Sequence, residues 1–123
     1  TVEDLLPGIR TPITVPSQTP LNEAIGLMKQ HGISQLPVTD GESVIGLIHE
    51  TTLLEHALSQ EAANKPVGDI ADVDFCTVNS STEVQVLADL LRRFRVALVM
   101  QNGNLLGVLS RIDIIDYIAN KGA

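Results

Sequence analysis

The chain is built from two copies of one pattern, and this duplication restricts its fold more than any other feature. "SVIGLIHETTLLEHAL" (Ser43 to Leu58) lies over "NLLGVLSRIDIIDYIA" (Asn104 to Ala119) with Gly46 on Gly107, 61 positions apart. The same spacing sets "ISQLPV" (Ile33 to Val38) over "FRVALV" (Phe94 to Val99). Further upstream, "TVPSQTPLNEAIGLM" falls on "TVNSSTEVQVLADLL" at a spacing of 63, so the first copy carries two extra residues near His31 and Gly32.

Each copy reads as strand, helix, hairpin, helix. A short extended piece ("ITV"; "FCTV") leads into Ser, Thr and Pro residues suited to a helix start. Apolar residues at helical spacing follow, Leu21, Ile25, Leu27 and Met28 in one copy and Val84, Leu87, Leu90 and Leu91 in the other. Two strands come next ("QLPVT" and "VIGLI"; "VALVM" and "LLGVL"), joined at Asp40-Gly41 and Asn102-Gly103, which are hairpin-turn pairs. A closing helix carries Leu53, Leu54 and Ala57, or Ile114, Ile115 and Ile118, on its apolar face. The reading is an α+β fold with repeats at residues 1–58 and 67–123 and a linker at 59–66. About 55 residues bury too little surface to be stable alone. The two small sheets are therefore expected to pack together with pseudo-twofold symmetry, helices outside.

Composition removes several functions. Two Phe, one Tyr and no Trp leave almost no platform for stacking bases, and a net charge of −7 opposes a phosphate backbone. Nucleic acid is not an expected partner. His31, His49, His56 and the single Cys76 lack the paired spacings of a metal site. No run approaches the roughly 20 apolar residues of a membrane span. One cysteine cannot form an internal disulfide, which fits a cytoplasmic setting. No nucleophile–histidine pattern and no Gly-rich phosphate loop is present, so no catalytic residue is assigned. The absence of an initiating Met suggests a piece of a longer chain.

With this repeat order and with "EAIGLMKQHGISQLPVTDGESVIGLI" and "LLGVLSRIDIIDYI", the chain resembles the tandem CBS-domain pair, or Bateman module, over nearly its whole length. "TPITV", "VALVM" without the usual proline, and "GVLSRIDIIDYIA" resemble more narrowly the C-terminal regulatory module of cystathionine-β-synthase-like pyridoxal-phosphate enzymes. The resemblance implies a non-catalytic sensor that takes an adenosyl ligand between repeats. S-adenosylmethionine or AMP, ADP or ATP are the candidates, and S-adenosylmethionine suits an acidic protein. It also implies a homodimer through leftover apolar helix faces, and a catalytic domain fused ahead of Thr1.

The family pattern of Gly, two apolar residues, Ser or Thr, two variable residues and Asp is met at Gly107–Asp113. By resemblance Asp113 takes the two ribose hydroxyls, Ser110 faces the 5′ side at a helix start, and Arg111 adds charge for a phosphate. Thr11, Ile33, Leu36 and Pro37 form the opposite wall, with Pro37 read as a strand start or edge. The plainer reading is that Ser110 and Asp113 cap a helix and that Ile33 and Leu36 are core, which leaves a ligand-free structural dimerisation module. The first copy departs from the pattern. Thr52 replaces the aspartate and His49 the serine, so that site is expected to be empty or to take something different. Asp74, aligned with Thr11, would repel an anion there, and His49 reads as a surface residue near a helix start.

Overall fold

The computed structural model describes residues 1–56, 59 and 62–121. Its contacts divide the chain into two compact units, Ile13–Val73 and, together, Thr1–Pro12 with Asp74–Ala123. The fold is α+β in each unit.

The first unit contains β1 (Val15–Pro16), α1 (Leu21–His31), β2 (Gln35–Asp40), β3 (Ser43–His49) and α2 (Glu50–His56). β2 is central, parallel to β1 and antiparallel to β3. The second unit repeats this with β4 (Phe75–Val78), α3 (Val84–Leu90), β5 (Val96–Gln101), β6 (Asn104–Leu109) and α4 (Arg111–Lys121). β5 lies between a parallel β4 and an antiparallel β6. Even the irregularity repeats, with the register slipping at Val38/Thr39 and at Val99/Met100.

Of the residues expected on α1's apolar face, Leu21 and Met28 join Ala24 inside a core built around Val15, Leu36, Val38, Ile48 and Val67. α1 has 11 residues and ends on Gly32, whose φ of 61° suits a left-handed cap. α3 has only seven and gives Leu87, with Leu91 beyond its end, to a core of Val2, Val78, Ala97, Val99, Leu109 and Ile114. The two turns differ. Asn102 and Gly103 both take positive φ and form the expected turn pair, whereas the first hairpin turns at Gly41-Glu42, one residue later than the Asp40-Gly41 reading.

The apolar faces of the closing helices are only partly covered. Ile114 is buried, but Ile115 and Ile118 are about three-fifths exposed, as is Ile112, and Leu54 of α2 is exposed as well. Ala57 lies outside the described residues.

Pro37 is also corrected. It is neither a strand start nor an edge but sits inside the central β2, opposite Leu47. Leu47 exchanges both of its backbone hydrogen bonds with Asp72, at 2.8 and 3.0 Å, and so demands nothing from Pro37. On the other side, β1 begins only opposite Val38. The missing N–H therefore has no empty acceptor to leave behind.

Each unit is closed by a segment lying outside the strand-to-helix pattern. Residues 65–68 run along 17–21, with the Val67 amide on Thr19 O and the Gly68 amide on Ser17 O, at 2.8 and 2.9 Å. In the other unit the Val2 amide bonds Thr82 O and the Glu3 amide Ser80 O, at 2.7 and 2.9 Å. Val2 and Val67 are both fully buried. Val2-Glu3-Asp4-Leu5 and Val67-Gly68-Asp69-Ile70 share a short pattern, but they stand 65 positions apart, outside the spacings of 61 and 63 that align the rest of the repeats.

Candidate ligand site

The start of α4 is where "GVLSRID" acquires geometry. β6 ends at Leu109, and Ser110 precedes the first helical residue. Asp113 turns back so that its Oδ2 accepts the Ser110 amide at 2.8 Å and the Ser110 hydroxyl at 3.2 Å. The Asp113 amide bonds Ser110 O at 3.1 Å. This is half of a capping box, and it fixes a carboxylate at a helix N-terminus. Every hydrogen bond accepted by that carboxylate among the described residues goes to Oδ2.

Beside it, a cavity of about 380 Å3 separates the lead-in (Asp4, Gly8, Ile9) from α4 (Asp113, Asp116, Tyr117). Asp113, Asp116 and Tyr117 line it because they stand at helical spacing on one face. Its rim is acidic. Arg111 does not offset this, since its Nε donates to Leu91 O at 2.6 Å, where α3 ends. A guanidinium there suits the carbonyl end of a helix.

The remaining predicted residues lie as follows. Thr11 is exposed at the end of the lead-in to the second unit. Leu36 is fully buried in the first unit's core, Ile33 packs against that core, and Pro37 is buried beside Leu36. The structure thus brings Ser110 to Asp113 within one unit, and Ile33 to the Leu36 core within the other.

At the matching start of α2 the chemistry is rearranged. His49 is buried, at 5% exposure, which corrects its reading as a surface residue. Its amide approaches Thr52 Oγ1 at 3.5 Å, a faint copy of the Ser110–Asp113 bond. The Thr52 hydroxyl donates to Asp72 Oδ2 at 3.0 Å, and His49 Nε2 is paired with the same oxygen. Asp72 is the residue the motif search misses. The carboxylate absent from position 52 arrives from another segment, and the signal for it is an aspartate in the stretch leading to β4. Asp74 is engaged by Arg95, through the Arg95 amide at 3.3 Å and Nε at 3.6 Å.

Among the described residues no cluster of His, Cys, Asp or Glu could hold a metal ion, and no helix is long and apolar enough to cross a membrane.

Comparison with known proteins places this geometry. The CBS-domain family model matches residues 2–59 and 67–120. Cystathionine beta-synthase of Dictyostelium discoideum is 28% identical over 96% of the chain, which spans 25% of that protein's length. A CBS-domain-containing protein of Agrobacterium tumefaciens superimposes with a TM-score of 0.83 at 26% identity, covering 95% of this chain and 98% of that one. A CBS-domain pair solved with 5′-methylthioadenosine and S-adenosyl-L-methionine superimposes with a TM-score of 0.81 at 23% identity, covering 98% and 96%. The chain belongs to the CBS-domain family, as a tandem pair that forms a regulatory rather than a catalytic module.

Proposed function

We propose that this pair senses an adenosyl compound, either S-adenosylmethionine or an adenine nucleotide (AMP, ADP or ATP), and passes its occupancy to an attached or partner protein. The repeats are taken as residues 1–58 and 67–123 joined by 59–66. Ser110, Asp113 and the exposed Thr11 are the proposed contacts, with the half-buried Ile33; Leu36 and Pro37 are buried in the first unit and Arg111 is held by Leu91 O, so these three are not.

One observation carries the reading. Asp113, which lines a cavity, is held by Oδ2, and its Oδ1 accepts no hydrogen bond among the described residues. A carboxylate so fixed can accept from the adjacent hydroxyls of a ribose without losing its cap. The cavity's carboxylates, Asp4, Asp113 and Asp116, favour a ligand with a sulfonium and an ammonium over one with a chain of phosphates. Arg111, spent on Leu91, weakens the case for phosphate further. Related pairs solved with AMP and with 5′-methylthioadenosine and S-adenosyl-L-methionine support an adenosyl ligand of either kind.

A melting screen tests this. Ligand at 100 times its Kd should add about 2.7 kcal/mol to the stability of the native state. S-adenosylmethionine is expected to raise the melting temperature most, AMP less and ATP least, and Asp113→Asn is expected to remove the shift. If none of the three raises it, the module is a structural dimerisation unit and Asp113 is only a cap.

The exposed Leu54, Ile112, Ile115 and Ile118 support a homodimer through the closing helices. Ile115→Asp should then sediment as a monomer where the wild-type chain sediments as a dimer, and equal sedimentation would refute the interface. A cytoplasmic setting and a pyridoxal-phosphate enzyme fused upstream complete the proposal. The coding sequence ahead of Thr1 decides the fusion.

A further inference from the structure

The cluster at the start of α2 leads away from ligand binding. Asp72 is the second-last residue of the first compact unit, which ends at Val73. Its backbone is paired with Leu47 on the outer edge of β3, and its carboxylate meets Thr52 and His49 of the β3–α2 junction. Gly46 permits that approach, since a Cβ there would stand 2.6 Å from Ala71 Cβ and 3.2 Å from Asp72 O. Beyond Ala71 the apolar Val73 is 71% exposed, and the described side-chain contacts of Asp72 are polar.

Those contacts have an internal weakness. His49 Nδ1 is buried and has no hydrogen-bond partner among the described residues. An unsatisfied buried nitrogen opposes the arrangement that the His49–Asp72 contact favours. A few opposed contacts of this kind are what allow a segment to open while the sheet beneath it stays folded.

We infer that His49, Thr52 and Asp72 form a latch that holds the chain against β3 just before it leaves the first unit, and that this latch opens independently of the unit's core. The inference does not rest on the adenosyl reading, because no group of the Asp113 site takes part.

Amide hydrogen exchange by NMR on the full chain tests it. Two amides report the latch, those of residues 47 and 72, which bond each other's carbonyls. Leu36 and Ile48, paired across β2 and β3, serve as controls. Asp72→Asn removes the charge and keeps the shape. Exchange at both reporters, normalised to intrinsic rates, is expected to rise at least about tenfold with the controls unchanged. Thr52→Val, which removes one hydroxyl, is expected to raise the same two amides by about threefold. Unchanged reporters would overturn the latch, and so would a rise shared by the controls, which would mean that the cluster simply stabilises the whole unit. Should Asp72→Asn fail to fold, Thr52→Val decides by the same criterion.

Discussion

The starts of α2 and α4 occupy matching places in the two repeats and solve one problem with different parts. At α4 the carboxylate belongs to the helix (Asp113), and the lead-in brings apolar Leu6 and Ile9 against β6. At α2 the helix offers Thr52, and the carboxylate belongs to the segment crossing β3 (Asp72). The described contacts hold each carboxylate through a single oxygen, Asp113 by Ser110 at the start of its own helix and Asp72 by His49 and Thr52 of a different segment, so the two sites differ in which element carries the charge. Duplication preserved the backbone while the charge moved between elements.

The sharpest way to break this comparison is to give the first repeat both carboxylates. Thr52→Asp puts a second acid against Asp72 at a buried position, and should cost about 3 kcal/mol in urea unfolding. Adding Asp72→Ile, which copies the apolar lead-in of the other repeat, should recover at least about half of that loss, because the two sites share one interaction. If Thr52→Asp alone is neutral, the two carboxylates do not compete and the comparison fails.

The glycines offer the next test. A methyl at Gly46 meets Ala71 Cβ at 2.6 Å and a backbone carbonyl at 3.2 Å, and neither can swing aside. At Gly107 the nearest atoms are the ends of the Ile9 and Leu6 side chains, at 3.2 and 3.4 Å. Gly46→Ala should cost about 2 kcal/mol and Gly107→Ala less than about 1 kcal/mol. Equal melting temperatures for the two variants would show that the polar crossing packs no more tightly than the apolar one.

How far this could be read in advance depended on how local each determinant is. The β5–β6 turn was legible because Asn102-Gly103 carries its own conformational preference, and β4 because "FCTV" is bounded by turn residues. Pro37 and His49 were misread for a shared reason: both depend on Asp72, which is far from them in sequence and belongs to no motif. Without Asp72, Leu47 would need a partner and Pro37 would belong at an edge; with it, Pro37 can be central and His49 buried. Helical spacing shows the apolar stripe that carries Ile115 and Ile118 but not what covers it, and the structure leaves both exposed. At the candidate site the motif locates Ser110 and Asp113, yet only the folded chain shows which oxygen each donor takes.

Removing the helix-borne carboxylate should have a smaller effect on the empty protein. Asp113→Ala deletes the acceptor of two Ser110 donors and should lower unliganded stability by about 1 kcal/mol, the usual worth of a cap. A loss several times larger would make Asp113 chiefly structural, and the ligand role proposed for this helix start would lose its support.

The smallest effect concerns a position where the repeats differ without consequence. Cys76 in β4 aligns with Ile13, a half-buried residue packed on the other core, and it packs likewise on its own. Burial raises the Cys76 thiol above its ordinary value, outweighing its backbone hydrogen bond. The thiolate, which is the reactive form, should therefore become available only at higher pH than in the unfolded chain. Iodoacetamide should modify the folded protein more slowly than the urea-unfolded protein at pH 8, with the gap narrowing as pH rises. Cys76→Val should leave stability within about 0.5 kcal/mol, as expected where a small apolar filler replaces another. Faster alkylation in the folded state would instead mark Cys76 as an activated thiol and make the second core chemically unlike the first.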